Sequence, residues 1–204
     1  MSLLIEQGKM KLLHLDFETS SLDSWKGAVL EVGAIACAPG KEQTTFHKHL
    51  QPHIGAVVED AALRVNNTTR DDLTSSERLL PGAGFNAFID FLATRVDPYK
   101  PEDKFFLVAY NAPFDLGFLE QWFKRNNNKW FGSYFWRPPL CTYALSAFHL
   151  GAEWAKLPDR KLATVADRLG IAPPETGNLH TALYDCLLSK GIYEKINEWH
   201  RRGI

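Results

Sequence analysis

LHLDFETSSL, residues 13–22, places two acids, Asp16 and Glu18, at the end of an apolar run. Alternate residues of a strand face the same side, so Asp16 and Glu18 point together while Leu15 and Phe17 face the opposite layer. A D-x-E pair alone reads as a polar strand face. At the end of an apolar strand that belongs in the centre of a sheet, two adjacent charges need a compensating partner.

Two further stretches supply acids at the edges of apolar segments. In LVAYNAPFDLGFL, residues 107–119, Asp115 falls in the first turn of a helix that Asn111 is expected to cap, with Pro113 just inside. In NLHTALYDCLL, residues 178–188, His180 precedes Asp185 by five positions, about 140° around an ideal helix. The turn-like Thr176-Gly-Asn178 puts His180 at the ragged start of that helix, where the dipole favours a neutral ring. Taken singly, Asp115 reads as a residue stabilised by the helix dipole and His180 as a surface histidine; their joint occurrence with Asp16 and Glu18 changes the reading. Carboxylates about 4 Å apart repel by roughly 4 kcal/mol at an effective dielectric near 20, so gathering four of them requires cations. Their oxygens suit magnesium or manganese, and a neighbouring histidine suits removal of a proton from water.

The rest of the chain supplies the frame. Lys11–Phe17 and Ala28–Cys37 read as apolar strands and Gln43–Leu50 as a half-exposed one, joined by the turns SSLDSWKG and APGKE into an antiparallel meander. Helices are expected over Glu59–Val65 and Gly84–Val96, the second carrying Phe85, Phe88, Ile89 and Leu92 on one stripe. A short strand, Lys104–Ala109, precedes the Asn111–Arg125 helix. An Asn- and aromatic-rich loop and a short segment near Pro139–Thr142 follow, then helices near Tyr143–Leu150, Leu162–Leu169 and Thr181–Trp199. Three strands followed by alternating helices and strands make an α/β pattern with a mixed sheet, read as a single domain over residues 1–204 with 1–9 as a frayed lead.

A net charge of −1 argues against holding nucleic acid by bulk positive charge, though not against gripping a few nucleotides where metals bring the charge. Cys37, Cys141 and Cys186 are widely spaced without CxxC spacing, which points to reduced thiols in a cytosolic protein and not to a disulfide framework or a zinc site. No stretch approaches a membrane span, and Glu6, Gly8 and Lys9 interrupt the N-terminal apolar residues, unlike a signal peptide. KWFGSYFWR, residues 129–137, mixes aromatics with positive charge and reads as a strand-gripping segment, a core-anchored loop or a dimer contact.

The order of LDFETSSLD, VAYNAPFDLGFL and HTALYD resembles the DEDD superfamily of 3′–5′ exonucleases in its histidine-bearing, DnaQ-like (DEDDh) branch, which includes the proofreading subunit of bacterial DNA polymerase III and ribonuclease T. VLEVGAIA, ALRVNNTT and KLATVADRLGI extend the likeness over residues 11–197. The resemblance implies a ribonuclease H-like fold with a five-stranded mixed sheet flanked by helices. It implies two divalent ions, Mg2+ or Mn2+, held by Asp16, Glu18, Asp115 and Asp185, with His180 as general base. It places Thr19, Ser20 and Ser21 along the 3′ end through backbone groups, Leu22 as a wedge beside the terminal base, Phe114 as a stacking residue, and Val65, Asn66, Tyr110 and Asn111 near the substrate. The implied substrate is the 3′ end of single-stranded or frayed DNA, releasing nucleoside 5′-monophosphates. RNA trimming of the ribonuclease T kind and a catalytically silent nucleic-acid-binding module stand as alternatives. A polymerase or homodimer partner is left open.

Overall fold

The computed structural model describes residues 10–174 and 181–202. The expected N-terminal lead, residues 1–9, lies outside the described residues. Five strands form one sheet: β1 (Lys11–Thr19), β2 (Val29–Cys37), β3 (Thr44–His49), β4 (Phe105–Ala109) and β5 (Phe135–Cys141). Their order is β3-β2-β1-β4-β5. β1, β2 and β3 pair antiparallel, whereas β4 joins β1 and β5 joins β4 in parallel. The mixed sheet anticipated from the sequence is therefore present, with β1 at its centre.

Seven helices accompany the sheet among the described residues: α1 (Asp60–Val65), α2 (Pro81–Ala93), α3 (Ala112–Arg125), α4 (Phe131–Tyr134), α5 (Thr142–Leu150), α6 (Leu162–Arg168) and α7 (Ala182–Arg202). The period of two along β1 sorts its side chains into two layers. Leu13, Leu15 and Phe17 enter the main core with Phe85, Phe88 and Leu92 of α2 and Phe118, Trp122 and Phe123 of α3. Trp122 is the hub, with ring centroids 5.3–5.9 Å from those of Phe17, Phe85 and Phe88. On the other face Leu12 packs with Val108 and with Tyr193 of α7. Asp16 and Glu18 occupy the same alternation as Leu12 and so belong to the α7 side.

The frame departs from the sequence reading in α2 and at Asn111, and it bears on the open readings of residues 129–137. α2 begins at Pro81 and ends at Ala93, not at Gly84 and Val96. Pro81 stands at the start of the helix, where its missing N–H costs nothing, although Pro-Gly-Ala-Gly reads as a breaker. Asn111 occupies the N-cap position of α3 but makes no side-chain capping bond; its carbonyl instead accepts from the Phe114 amide at 2.8 Å. The aromatic 129–137 segment forms α4 and the start of β5, and Phe131, Tyr134 and Phe135 pack onto Phe123, so this stretch is core-anchored. Pro138 and Pro139 lie in β5, an edge strand, where a lost donor is tolerated.

Gly33 of β2 faces Asp16 across the sheet. A Cβ built there would stand 2.3 Å from the Ala182 carbonyl carbon and oxygen, because the first turn of α7 lies directly on the strand. Gly33→Ala is therefore expected to destabilise the fold by about 1–3 kcal/mol or more, through overpacking against backbone that has no side chain to swing away. A denaturant midpoint equal to that of the parent would contradict this close approach.

Candidate active site

β1 outruns its parallel neighbour. β4 is registered against it only as far as His14↔Val108 and ends at Ala109, where the chain turns into α3. The edge of β1 beyond that point needs another partner. Asp115 supplies it: buried in the first turn of α3, its Oδ1 accepts the Phe17 amide at 3.2 Å, between the two acids of the strand. From the opposite side of the sequence, α7 brings Asp185 onto the same rim.

Carboxylate oxygens of Asp16, Glu18 and Asp185 lie within 4.8 Å of one another. Asp115 stands outside this trio but close enough that its charge acts on Asp16. Among the described residues, no lysine or arginine forms an ion pair with Asp16, Glu18 or Asp115. Burial, and then the charges of Asp115, Asp185, Glu18 and Glu31, hold the Asp16 carboxyl well above its usual range. Glu18 is pushed up to about 7 by burial and by Asp185 and Glu31. Burial raises Asp115 to about 8, against the opposing pull of the amides of Phe17 and of Asp115 itself. Hard oxygen donors gathered at one point are what a magnesium or manganese ion requires, so Asp16, Glu18 and Asp185 fit the implied metals. His180 lies outside the described residues.

Beside Glu18 opens a groove of about 320 Å³, lined by Phe17, Thr19, Leu22, Val65, Asn66 and Phe114 among others. Leu22 is 82% exposed and Val65 73%, an unusual placement for aliphatic side chains that ordinary core packing would have hidden. Phe114 does both jobs, lining the groove while its ring packs 5.0 Å from that of Phe118. The Asn66 side-chain amide donates to the Thr19 carbonyl at 2.9 Å, joining α1 to the end of β1 across the groove.

The side chains of four other expected substrate residues lie away from this groove. Ser20 and Ser21 are fully buried. The Ser20 hydroxyl donates to the Val57 carbonyl and accepts the Ala28 amide, so it holds the loop that follows β1 and does not line the groove. The Tyr110 hydroxyl donates to the Arg160 carbonyl at 2.6 Å, which ties β4 to the segment before α6. Asn111 is exposed at the start of α3 and is not part of the groove lining.

Glu31 went unnoticed in the sequence, although a single acid inside VLEVGAIA was the available signal. It lies opposite Glu18 in the β1–β2 register, and its Oε1 accepts the Ala182 amide at 2.9 Å. A carboxylate at this position satisfies one of the free N–H groups that open α7.

A family model, RNase_T, described as "Exonuclease", matches residues 13–193. The chain is 28% identical over 198 residues to a DNA polymerase III PolC-type protein of Thermotoga maritima, covering 96% of this chain but 12% of that protein, so it spans about an eighth of that relative's length. It is 28% identical over 201 residues to ribonuclease T of Yersinia pseudotuberculosis, covering 93% of this chain and 86% of that protein. E. coli exonuclease I in complex with a dA16 oligonucleotide shares the fold, with a TM-score of 0.71 at 15% identity over 95% of this chain and 42% of that one. No helix among the described residues is long and apolar enough to cross a membrane.

The raised carboxyls set the sign of a pH effect. A carboxyl that holds its proton more tightly in the folded chain favours folding at low pH, and that contribution is lost as pH rises through the folded value. For Glu18 this window runs from 4.5 to about 7, and for Asp115 from 3.8 to about 8. The thermal midpoint in a chelator should therefore fall across this range, and Mn2+ should reverse the fall. A metal-free midpoint that climbs over the same window would show that the acids are not held against their own repulsion.

Proposed function

The chain belongs to the exonuclease family, and from that premise we propose that it is a single metal-dependent 3′–5′ exonuclease domain acting on single-stranded or frayed DNA ends. The observation that carries this reading is the convergence of Asp16, Glu18 and Asp185 beside a groove with exposed apolar walls. Carboxylates and groove together match the two needs of the reaction: a place for cations at a phosphodiester and a surface for the last nucleotide.

In this reading Asp16, Glu18 and Asp185, with Asp115 beside them, would hold two divalent ions, Mg2+ or Mn2+. Such ions, when bound, supply stabilisation of the attacking and leaving oxygens of a phosphodiester displacement. The protein contributes position and proton control. Leu22 wedges beside the terminal base and Phe114 stacks on it, while Val65 and Asn66 meet its sugar. Thr19, whose carbonyl is held by Asn66, fixes the groove floor next to Glu18. His180 takes the proton from the attacking water, and the products are a nucleoside 5′-monophosphate and a strand shortened by one residue with a free 3′-OH. Stacking of this kind is indifferent to base identity, which suits an enzyme that removes any terminal nucleotide.

A second reading, trimming of RNA 3′ ends, is favoured by the ribonuclease T relative, most of whose length the chain matches. End-labelled DNA and RNA of one sequence, incubated with Mn2+, separate the two: stepwise loss of nucleotides from the DNA is expected, and preferential shortening of the RNA would overturn the DNA assignment. Protein that bound both strands and released no mononucleotide with either metal would overturn the nuclease reading in favour of a silent binding module.

Two sets of variants test the roles. His180→Ala should lower kcat by about 10²–10⁴-fold, the usual contribution of a general base, with metal affinity nearly unchanged, whereas Asp16→Ala should lose both. Leu22→Ala and Phe114→Ala should weaken binding of a single strand, by about 1–3 kcal/mol where a stacked base is lost. Unchanged turnover in the His180 variant would remove it from the mechanism.

A further inference from the structure

The register of β1, β2 and β3 lines up two rows of residues across the sheet. One row is Glu18, Glu31 and His49; the other is Asp16, Gly33 and His47. The first residues of these rows belong to the acidic trio. Their far ends, His49 and His47, meet Glu31 in a group whose histidines the exonuclease reading does not use. His47 and His49 are two apart on β3 and so share a face with Glu31, with ring centroids 5.1 Å apart. His47 Nε2 lies 2.8 Å from Glu31 Oε1, and His49 Nδ1 lies 3.5 Å from Glu31 Oε2. One donor atom from each of the three residues falls within 4.8 Å of the other two.

We propose that Glu31, His47 and His49 form a second metal site, chemically distinct from the carboxylate trio, that takes a divalent transition ion of the zinc class. Two imidazoles and a carboxylate are a ligand set for zinc and its neighbours, with positions left for water, whereas a set of oxygens alone selects magnesium or manganese. Glu31 is nearly buried, and its Oε1 is also held by the Ala182 amide. Support of a ligating carboxylate by a hydrogen bond from the surrounding protein is the usual outer-shell arrangement of metal sites. An entry path exists: a cavity of about 340 Å³ reaches Glu31 and His49 beside Asn66, Arg78 and Thr181. Ion binding there would join the edge strand β3, through Glu31, to the first turn of the helix that carries Asp185. The site is thus placed to set the seat of α7 without contributing to the chemistry, and the inference stands whether or not the chain is a nuclease.

The test silences the trio and looks for what is left. In the full chain carrying Asp16→Asn and Asp185→Asn, Co2+ should still bind, with the visible absorption of a nitrogen-ligated ion, and Zn2+ should displace it. His49→Gln in that background should weaken Zn2+ by at least about 10–100-fold, since even loss of an outer-shell partner costs that much. Should His49→Gln not fold by circular dichroism, His47→Gln on the same edge strand reads the same loss. Absence of Co2+ binding in the trio-silenced chain would overturn the proposal, as would Zn2+ affinity unchanged by the histidine substitutions. Magnesium binding there as tightly as zinc would overturn the assignment of ion class.

Discussion

The seating of α7 on β2 is the contact on which the rest of the site depends. Gly33 leaves a notch in the sheet at the level of Asp16, and the backbone of Ala182 fills it. Glu31, two residues earlier and on the same face, accepts the amide that opens the helix. Close approach and hydrogen bond together determine the height and direction of α7, and with them the position of Asp185 one turn further on. Any side chain at Gly33 would lift the helix and carry Asp185 away from the strand acids.

Three segments distant in sequence are thereby made to share one rim. β1 brings Asp16 and Glu18, α3 brings Asp115 to an edge of β1 that β4 is too short to cover, and α7 brings Asp185. Each placement is stabilised by apolar packing or by a hydrogen bond from a backbone amide. The fold can therefore hold acids against their mutual repulsion, which is the condition for a cation site assembled before the cation arrives. The carboxyls of Asp16, Glu18 and Asp115 are raised by burial first and by neighbouring negative charge second.

The groove adds the element that carboxylates alone lack. Leu22 and Val65 stay exposed, and Asn66 ties the end of α1 to the end of β1 beside them. Ser20 and Ser21 contribute from behind, holding the loop that presents Leu22. Residues that looked alike in TSSL thus divide between lining and scaffold, a division set by which hydroxyls find backbone partners. A similar division separates Phe114, at the groove, from Tyr110, whose hydroxyl is committed to the Arg160 carbonyl.

Periodicity in the sequence was enough to place β1, β2 and the apolar stripe of α2, and to orient Asp16 and Glu18 to one side, because alternation and helical repeat are local properties of the chain. Motif order was enough to recognise the family and the mixed sheet. The limits were equally physical. Asn111 matched a capping pattern, yet its carbonyl and not its side chain takes the Phe114 amide. Glu31 drew no notice in its apolar strand, and only the registers with β1 and β3 set it beside Glu18, His47 and His49. Local pattern determined which residues face which layer; only the packing of α7 into the Gly33 notch and the pairing of three strands decided which charges meet, because those distances are set by contacts between segments far apart along the chain.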